Sequence, residues 1–238
     1  MNLVLDFGNT LWKVALFEGG HLKLLKSFQK GELSVEVLNE IAKSTKKGIL
    51  SSVVHLNQDW EQWMTDNHVI VLSHETPLPI INKYATPETL GKDRLANAIG
   101  LFHHFPNEHS ISVDFGTCVK IDFVSKQGHY LGGSISPGLQ MRYKSLQKFT
   151  DKLPLVEHTP LSPLIGTDTA SSIRAGVFRG IIYEIEGVIK HYKEEFGPLE
   201  VIFTGGDSEH FEPAFKNTIF ARPNLTLEGL NKILDYNG

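Results

Sequence analysis

Apolar and polar positions alternate through the first thirty residues in three short runs, LVLDF, WKVALF and HLKLLKSF, with the period of strands that bury one face. Gly19-Gly20 separates the second run from the third and supplies a tight turn, so three antiparallel strands are expected. SVEVLNEIAKS then has helical spacing, GILSSVV reads as a short buried strand, LNQDWEQWM as a second amphipathic helix and HVIVLS as a further strand. At SISVDF the theme restarts, with CVKIDFV and GHYLGGSI as the second and third runs before the chain turns helical. From Thr169 to about Phe196, residues Ile173, Val177, Ile181, Ile185 and Ile189 recur every fourth position and lay one apolar stripe along a helix. LEVIFTGG is a strand ending in a glycine turn, and helical and extended pieces finish the chain. Two halves opening with the same unit, residues 1–108 and 109–238, predict a duplicated α/β fold.

The stretch between the halves, SHETPLPIINKYATPETLGKDRLANAIGLFHHFPNEHS, has the prolines and turn residues of a linker. Yet Leu95, Ala98, Ile99, Phe102 and Phe105 keep helical spacing, which predicts a helix starting just after Gly91 with Asp93 and Arg94 in its first turn.

Chemistry enters with a repeat: DFGNT follows the first strand and DFGT follows the first strand of the second half. Glycine lets backbone N–H groups approach an anion closely, and Asn9, Thr10 and Thr117 add side-chain donors, so each turn is a candidate phosphate loop. Asp6 and Asp114 would repel phosphate directly and need a cation, a role suited to Mg²⁺ held through carboxylates and nucleotide phosphates. A lone Asp-x-Gly is a common β-turn; two at matched positions, with Thr204-Gly205-Gly206 after another strand, favour a nucleotide site. Lys13 lies on the same strand face as Leu11 and is equally readable as a solvated lysine or a phosphate ligand. From spacing alone, Asp93-Arg94 fits a surface ion pair or a helix-start carboxylate better than a catalytic one. No GxxxxGK[ST] or GxGxxG occurs, and the DFG has no HRD loop upstream as a protein kinase requires.

Composition narrows the partners. With 23 basic and 27 acidic residues among 238 the net charge is −4 and no basic block stands out, which argues against nucleic acid or an anionic membrane as partner. A single cysteine, Cys118, excludes an internal disulfide framework, and neither a signal sequence nor a membrane-length apolar run is visible, so a cytoplasmic protein is expected. His103, His104 and His109 lack a matching fourth ligand and read as a helix-end cluster; Trp60 and Trp63 read as packing residues and Cys118 as a small buried one.

In order along the chain, DFGNT, GKDR, DFGT, GGSISPG, GTDT leading into IEG, and TGG resemble the motifs of type III pantothenate kinases, members of the actin, sugar kinase and heat-shock ATPase superfamily. The resemblance covers nearly the whole chain. It implies two RNase H-like halves, duplicated βββαβα-type units, with ATP in the cleft between them. It assigns ATP binding to Asp6, Phe7, Gly8, Asn9, Thr10, Leu11, Trp12, Lys13 and Thr117, with Asp6 reaching Mg²⁺ directly or through water. It assigns pantothenate to Tyr84, Gly91, Lys92, Asp93, Arg94 and Thr169, with Asp93 as general base, and a monovalent cation, K⁺ or NH₄⁺, to Asp114. A homodimer whose second subunit helps close the pantothenate pocket is also implied. The chain departs from the family at Cys118-Val119-Lys120, where small or hydroxyl residues are common, and at Ala175-Gly176, where the family has Ser-Gly. The alternatives are a phosphohydrolase of the same superfamily and a non-catalytic nucleotide-binding regulator. GKDR with GGSISPG counts against the first, and the retention of every carboxylate and glycine turn against the second.

Overall fold

A computed structural model describes residues 1–159, 162–215 and 219–238. The three opening runs form β1 (Asn2–Phe7), β2 (Leu11–Glu18) and β3 (His21–Gln29), antiparallel in turn. Gly19 and Gly20, with φ of 57° and 80°, supply the left-handed pair that a two-residue hairpin loop needs. Helix α1 (Val35–Ala42), capped by Ser34, returns the chain to β4 (Lys47–Ser52), parallel to β1, and α2 (Gln58–Asp66), capped by Asn57, leads to β5 (Val69–Val71). The sheet order is β3-β2-β1-β4-β5. Leu3, Leu5 and Phe7 of β1 share a core with Leu38 and Ile41 of α1 and with Trp60, Trp63 and Met64 of α2.

A short strand β6 (Ile81–Asn82) precedes α3 (Lys92–His104), which starts immediately after Gly91 as its spacing predicts. The second run of strands is β7 (Ser110–Phe115), β8 (Cys118–Val124) and β9 (His129–Pro137), followed by α4 (Leu139–Lys148) and the 28-residue α5 (Thr169–Phe196). Then come β10 (Glu200–Thr204), α6 (Ser208–Phe211), β11 (Phe220–Ala221) and α7 (Leu225–Tyr236). Ile173, Val177, Ile181, Ile185 and Ile189 of α5 are all buried in one cluster with Ile111, Val113 and Phe115 of β7. The strand order here is β11-β10-β7-β8-β9-β6; with the added edge strand β6 set aside, both sheets read 3-2-1-4-5 in order of appearance. The duplication inferred from element order and two short motifs is therefore a duplication of topology.

By its contacts the chain divides into two units: residues Met1–Pro106, Gln127–Leu131 and Asn224–Gly238, and residues Asn107–Lys126 and Gly132–Pro223. The tail from Asn224, expected with the second half, groups instead with the first. α7 packs on α3, β1 and β4, and two glycines allow its approach to α3. A Cβ on Gly229 would lie 1.9 Å from the Ala96 carbonyl oxygen, and one on Gly100 would lie 2.6 Å from the Leu225 side chain. The buried Asn97 accepts a hydrogen bond from the Thr226 hydroxyl at 2.8 Å across the same contact.

Candidate active site

In the first unit the DFGNT turn is closed by one hydrogen bond, Gly8 N–H to the Leu11 carbonyl at 3.0 Å. Asp6 is half-buried at the end of β1, directly opposite Lys13 on β2 and Ser51 on β4, so the three side chains share one face of the sheet. The Ser51 hydroxyl is buried and has no hydrogen-bond partner among the described residues. Asn9 and Thr10 stand exposed at the tip. Phe7 and Trp12 turn the other way: their rings stack at 4.1 Å and both meet Trp60 edge-on at 5.5 Å. Such pairs add about 0.5–1.5 kcal/mol each beyond burial, and they anchor the turn from below. With both rings in the core, only the backbone of Phe7 and Trp12 is available to a nucleotide.

The GKDR segment builds the start of α3. No side chain caps this helix at Gly91; Asp93, in the first turn, accepts a hydrogen bond from Arg94 N–H at 2.9 Å. A Cβ on Gly91 would lie 2.6 Å from that same Asp93 oxygen, so the glycine keeps space for the carboxylate. Arg94 is 4% exposed, with its guanidinium 5.5 Å over the Tyr84 ring. Tyr84 in turn stacks at 6.1 Å on the fully buried Tyr130. The structure thus brings Tyr84, Gly91, Asp93 and Arg94 into one contiguous group, with the half-buried Lys92 beside them in sequence.

The second unit holds the DFGT turn, closed by Gly116 N–H to the Cys118 carbonyl at 3.2 Å, with Thr117 exposed at its tip. Asp114 is buried, pairs across the ladder with Lys120, and meets the Lys120 ammonium at 2.8 Å. Two glycines keep space for its other oxygen: a Cβ on Gly205 would sit 2.5 Å from Asp114 Oδ1, and one on Gly116 3.3 Å away. Gly205 has φ 93°, and Asp207 N–H binds the Phe115 carbonyl at 3.0 Å, so the TGG turn lies directly against the second DFG. Burial pushes the Asp207 carboxyl above its ordinary range, against a smaller opposing effect of His210. GGSISPG supports the turn from behind. Gly133 allows β9 to approach Ile121, where a Cβ would fall 1.8 Å from the carbonyl oxygen, and a Cβ on Gly138 would fall 2.4 and 2.6 Å from the Gly116 and Thr117 carbonyl oxygens. Beyond it, Arg142 joins Glu184 in an ion pair and donates to the Pro137 carbonyl at 2.7 Å. The monovalent cation implied at Asp114 does not suit this donor set, because the carboxylate already faces an ammonium group.

Thr169 opens α5 and is exposed, lining a groove of about 640 Å³ with Thr167, Asp168 and Ser172; neither Asp114 nor Thr117 lines it. Asp168 caps the helix in a reciprocal box with Ser171, whose backbone and side-chain hydrogen bonds hold the carboxyl below its usual range. Arg174 and Arg179 bind loop carbonyls, Glu157 at 3.1 Å and Pro163 at 2.9 Å respectively. His104 pairs with Glu228 at 2.6 Å, and His109, in the other unit, stacks on Phe123. Cys118 is half-buried rather than buried. Lys120 was not among the expected site residues. Hairpin arithmetic could have found it, since a turn joining Phe115 to Val119 sets position 120 opposite Asp114 as Lys13 stands opposite Asp6.

Two sheets of one strand order, each ending its first strand in an Asp-Phe-Gly turn, define the duplicated fold of the actin and sugar-kinase class. A protein of Campylobacter jejuni described as a Baf family transcriptional activator shares the fold at TM-score 0.66 and 21% identity, over 99% of this chain and 98% of that one. An inorganic polyphosphate/ATP-glucomannokinase from Arthrobacter matches at TM-score 0.50 and 12% identity, over 99% and 98% of the two chains. A family model described as type III pantothenate kinase matches residues 2–191. Type III pantothenate kinases of Christiangramia forsetii and Phocaeicola vulgatus are 44% and 42% identical, each over 100% of this chain and 99% of its own length. The chain belongs to the type III pantothenate kinase family.

Proposed function

We propose that this protein transfers the γ-phosphoryl group of ATP to the primary hydroxyl of pantothenate, giving 4′-phosphopantothenate and ADP for coenzyme A biosynthesis. One observation carries the residue-level reading: a carboxylate, Asp93, held at a helix start by an adjacent backbone N–H and a side-chain-free Gly91, next to a buried arginine. As the acceptor oxygen bonds to γ-phosphorus and the bond to the bridging oxygen of ADP breaks, the hydroxyl proton passes to Asp93. Arg94, stacked on Tyr84 and fixed by burial, is matched to the carboxylate of pantothenate; Lys92 and Thr169 complete the acceptor's polar contacts in this reading. Asn9, Thr10, Thr117 and the backbone N–H groups of the two turns receive the phosphates.

Among the described residues no three His, Cys, Asp or Glu side chains group to cage a metal. In this reading Mg²⁺ is carried mainly by nucleotide phosphates, with Asp6 as its protein carboxylate and the Ser51 hydroxyl beside it. When bound, Mg²⁺ neutralises phosphate charge. The reading includes a cytoplasmic homodimer, for which the exposed Ile135, Met141 and Tyr183 offer apolar surface.

Asp93→Asn is the test. ADP release dependent on pantothenate should fall by about 10²–10⁴-fold while the melting temperature holds. Near-normal turnover would remove Asp93 as base. ADP release that is equally fast without pantothenate would identify a phosphohydrolase instead.

A further inference from the structure

The Asp114–Lys120 pair has three features that a surface ion pair lacks. Both side chains are largely withdrawn from water, 10% and 16% exposed, and the contact is 2.8 Å. They are direct cross-strand partners, so the ladder itself sets their separation. The other carboxylate oxygen sits in the space that the missing side chains of Gly205 and Gly116 leave, so both glycine turns lie close to the group. A free ion would have to shed water and surrender translational freedom to reach Asp114, whereas an ammonium on the facing strand is present at high effective concentration. A second cation at the same carboxylate would meet like-charge repulsion.

We propose that Lys120 is the resident cation of the second phosphate turn, taking the place that the family resemblance gives to a monovalent ion, so that turnover requires neither potassium nor ammonium. The proposal rests on the kinase reading above and refines it at one residue. Lys120 acts through Asp114 and the Gly116–Thr117 turn, as a positioning residue that balances their charge. Its removal leaves a buried carboxylate that a small monovalent cation can then serve.

The experiment compares wild type with Lys120→Met, which keeps the side chain's length without its charge, in tetramethylammonium buffer with and without added potassium or ammonium. Pantothenate-dependent ADP release and the melting temperature are both read. Wild type is expected to be indifferent to the added ions in both measurements. Lys120→Met should lose turnover in tetramethylammonium and regain about 5–150-fold with potassium or ammonium, and those ions should raise its melting temperature selectively. A wild-type rate or melting temperature that climbs with potassium overturns the proposal, even where the variant fails to fold. So does a Lys120→Met protein that ignores every ion, or one whose only defect is a raised KM for ATP, the mark of a direct phosphate contact. If no form of the protein shows pantothenate-dependent turnover, the kinase reading falls, and the melting data still decide whether Lys120 excludes the ion.

Discussion

Gly205 and Gly206 are neighbours in one turn, yet alanine should be damaging at the first and harmless at the second. At Gly205 the backbone has φ 93°, and holding an L side chain there costs about 1–2 kcal/mol. The new Cβ would also lie 2.5 Å from Asp114 Oδ1 and 2.6 Å from both N and C of Phe115. Two of those three atoms are backbone of the central strand β7, which cannot retreat without carrying Asp114 with it, so overpacking adds about 1–3 kcal/mol. The sum is roughly 2–5 kcal/mol, or about 4–20 °C in melting temperature for a chain of this length. Around Gly206 no atom of the described residues beyond its chain neighbours lies within 4 Å of the added carbon, and its φ is not left-handed; Gly206→Ala should stay within about 0.5 kcal/mol of wild type. Urea unfolding followed by circular dichroism on the two variants side by side measures the difference. If both unfold at the same urea concentration, the close packing of the TGG turn on β7 is wrong.

The long helix offers the opposite sign. Gly187 lies in α5 with nothing within 4 Å of an added Cβ, so Gly187→Ala should raise stability by about 0.5–1 kcal/mol in the same urea experiment. For pH dependence, His158 stacks on Phe178 and lies 4.7 Å from His210 by ring centres; burial first, and then the His210 charge, hold it below the ordinary histidine range. The unfolded chain therefore binds this proton at higher pH than the folded one. The stability His158 contributes is whole above about pH 6.5 and drains away as pH falls from there toward the folded value. Melting curves from pH 7.5 downward, at about half-unit steps through that range, should show a decline that His158→Gln flattens; an unchanged slope would deny the shift.

Local pattern was enough for whatever local forces decide. The alternation in LVLDF and WKVALF, the Gly19-Gly20 turn and the stripe from Ile173 to Ile189 each specify an element within one span of sequence, and each formed as read. The start of α3 at Lys92 was readable for the same reason, since Gly91 and the spacing of Leu95, Ala98 and Ile99 lie within three turns. What pairs across distance was not readable. LTLEGLNKILDY announces an amphipathic helix but not that its partner is α3, about 130 residues earlier in the pairing of Asn97 with Thr226. Arg174 and Arg179 give no sign in sequence that they hold loop carbonyls, because a carbonyl acceptor has no letter of its own. Lys120 is intermediate: its contact is local, but it appears only when the hairpin is counted out residue by residue.

The return of α7 to the first unit sets an order in time. As the chain leaves the ribosome, β1, β4 and α3 emerge long before the helix that covers them, and every residue of the second unit is made in between. Val4 and Ile49, fully buried in the finished protein, face water or a chaperone through that interval. The second unit, continuous but for one short excursion at residues 127–131, has all its strands before α7 exists. The part of the sequence that is synthesised first is thus the part whose folding is completed last.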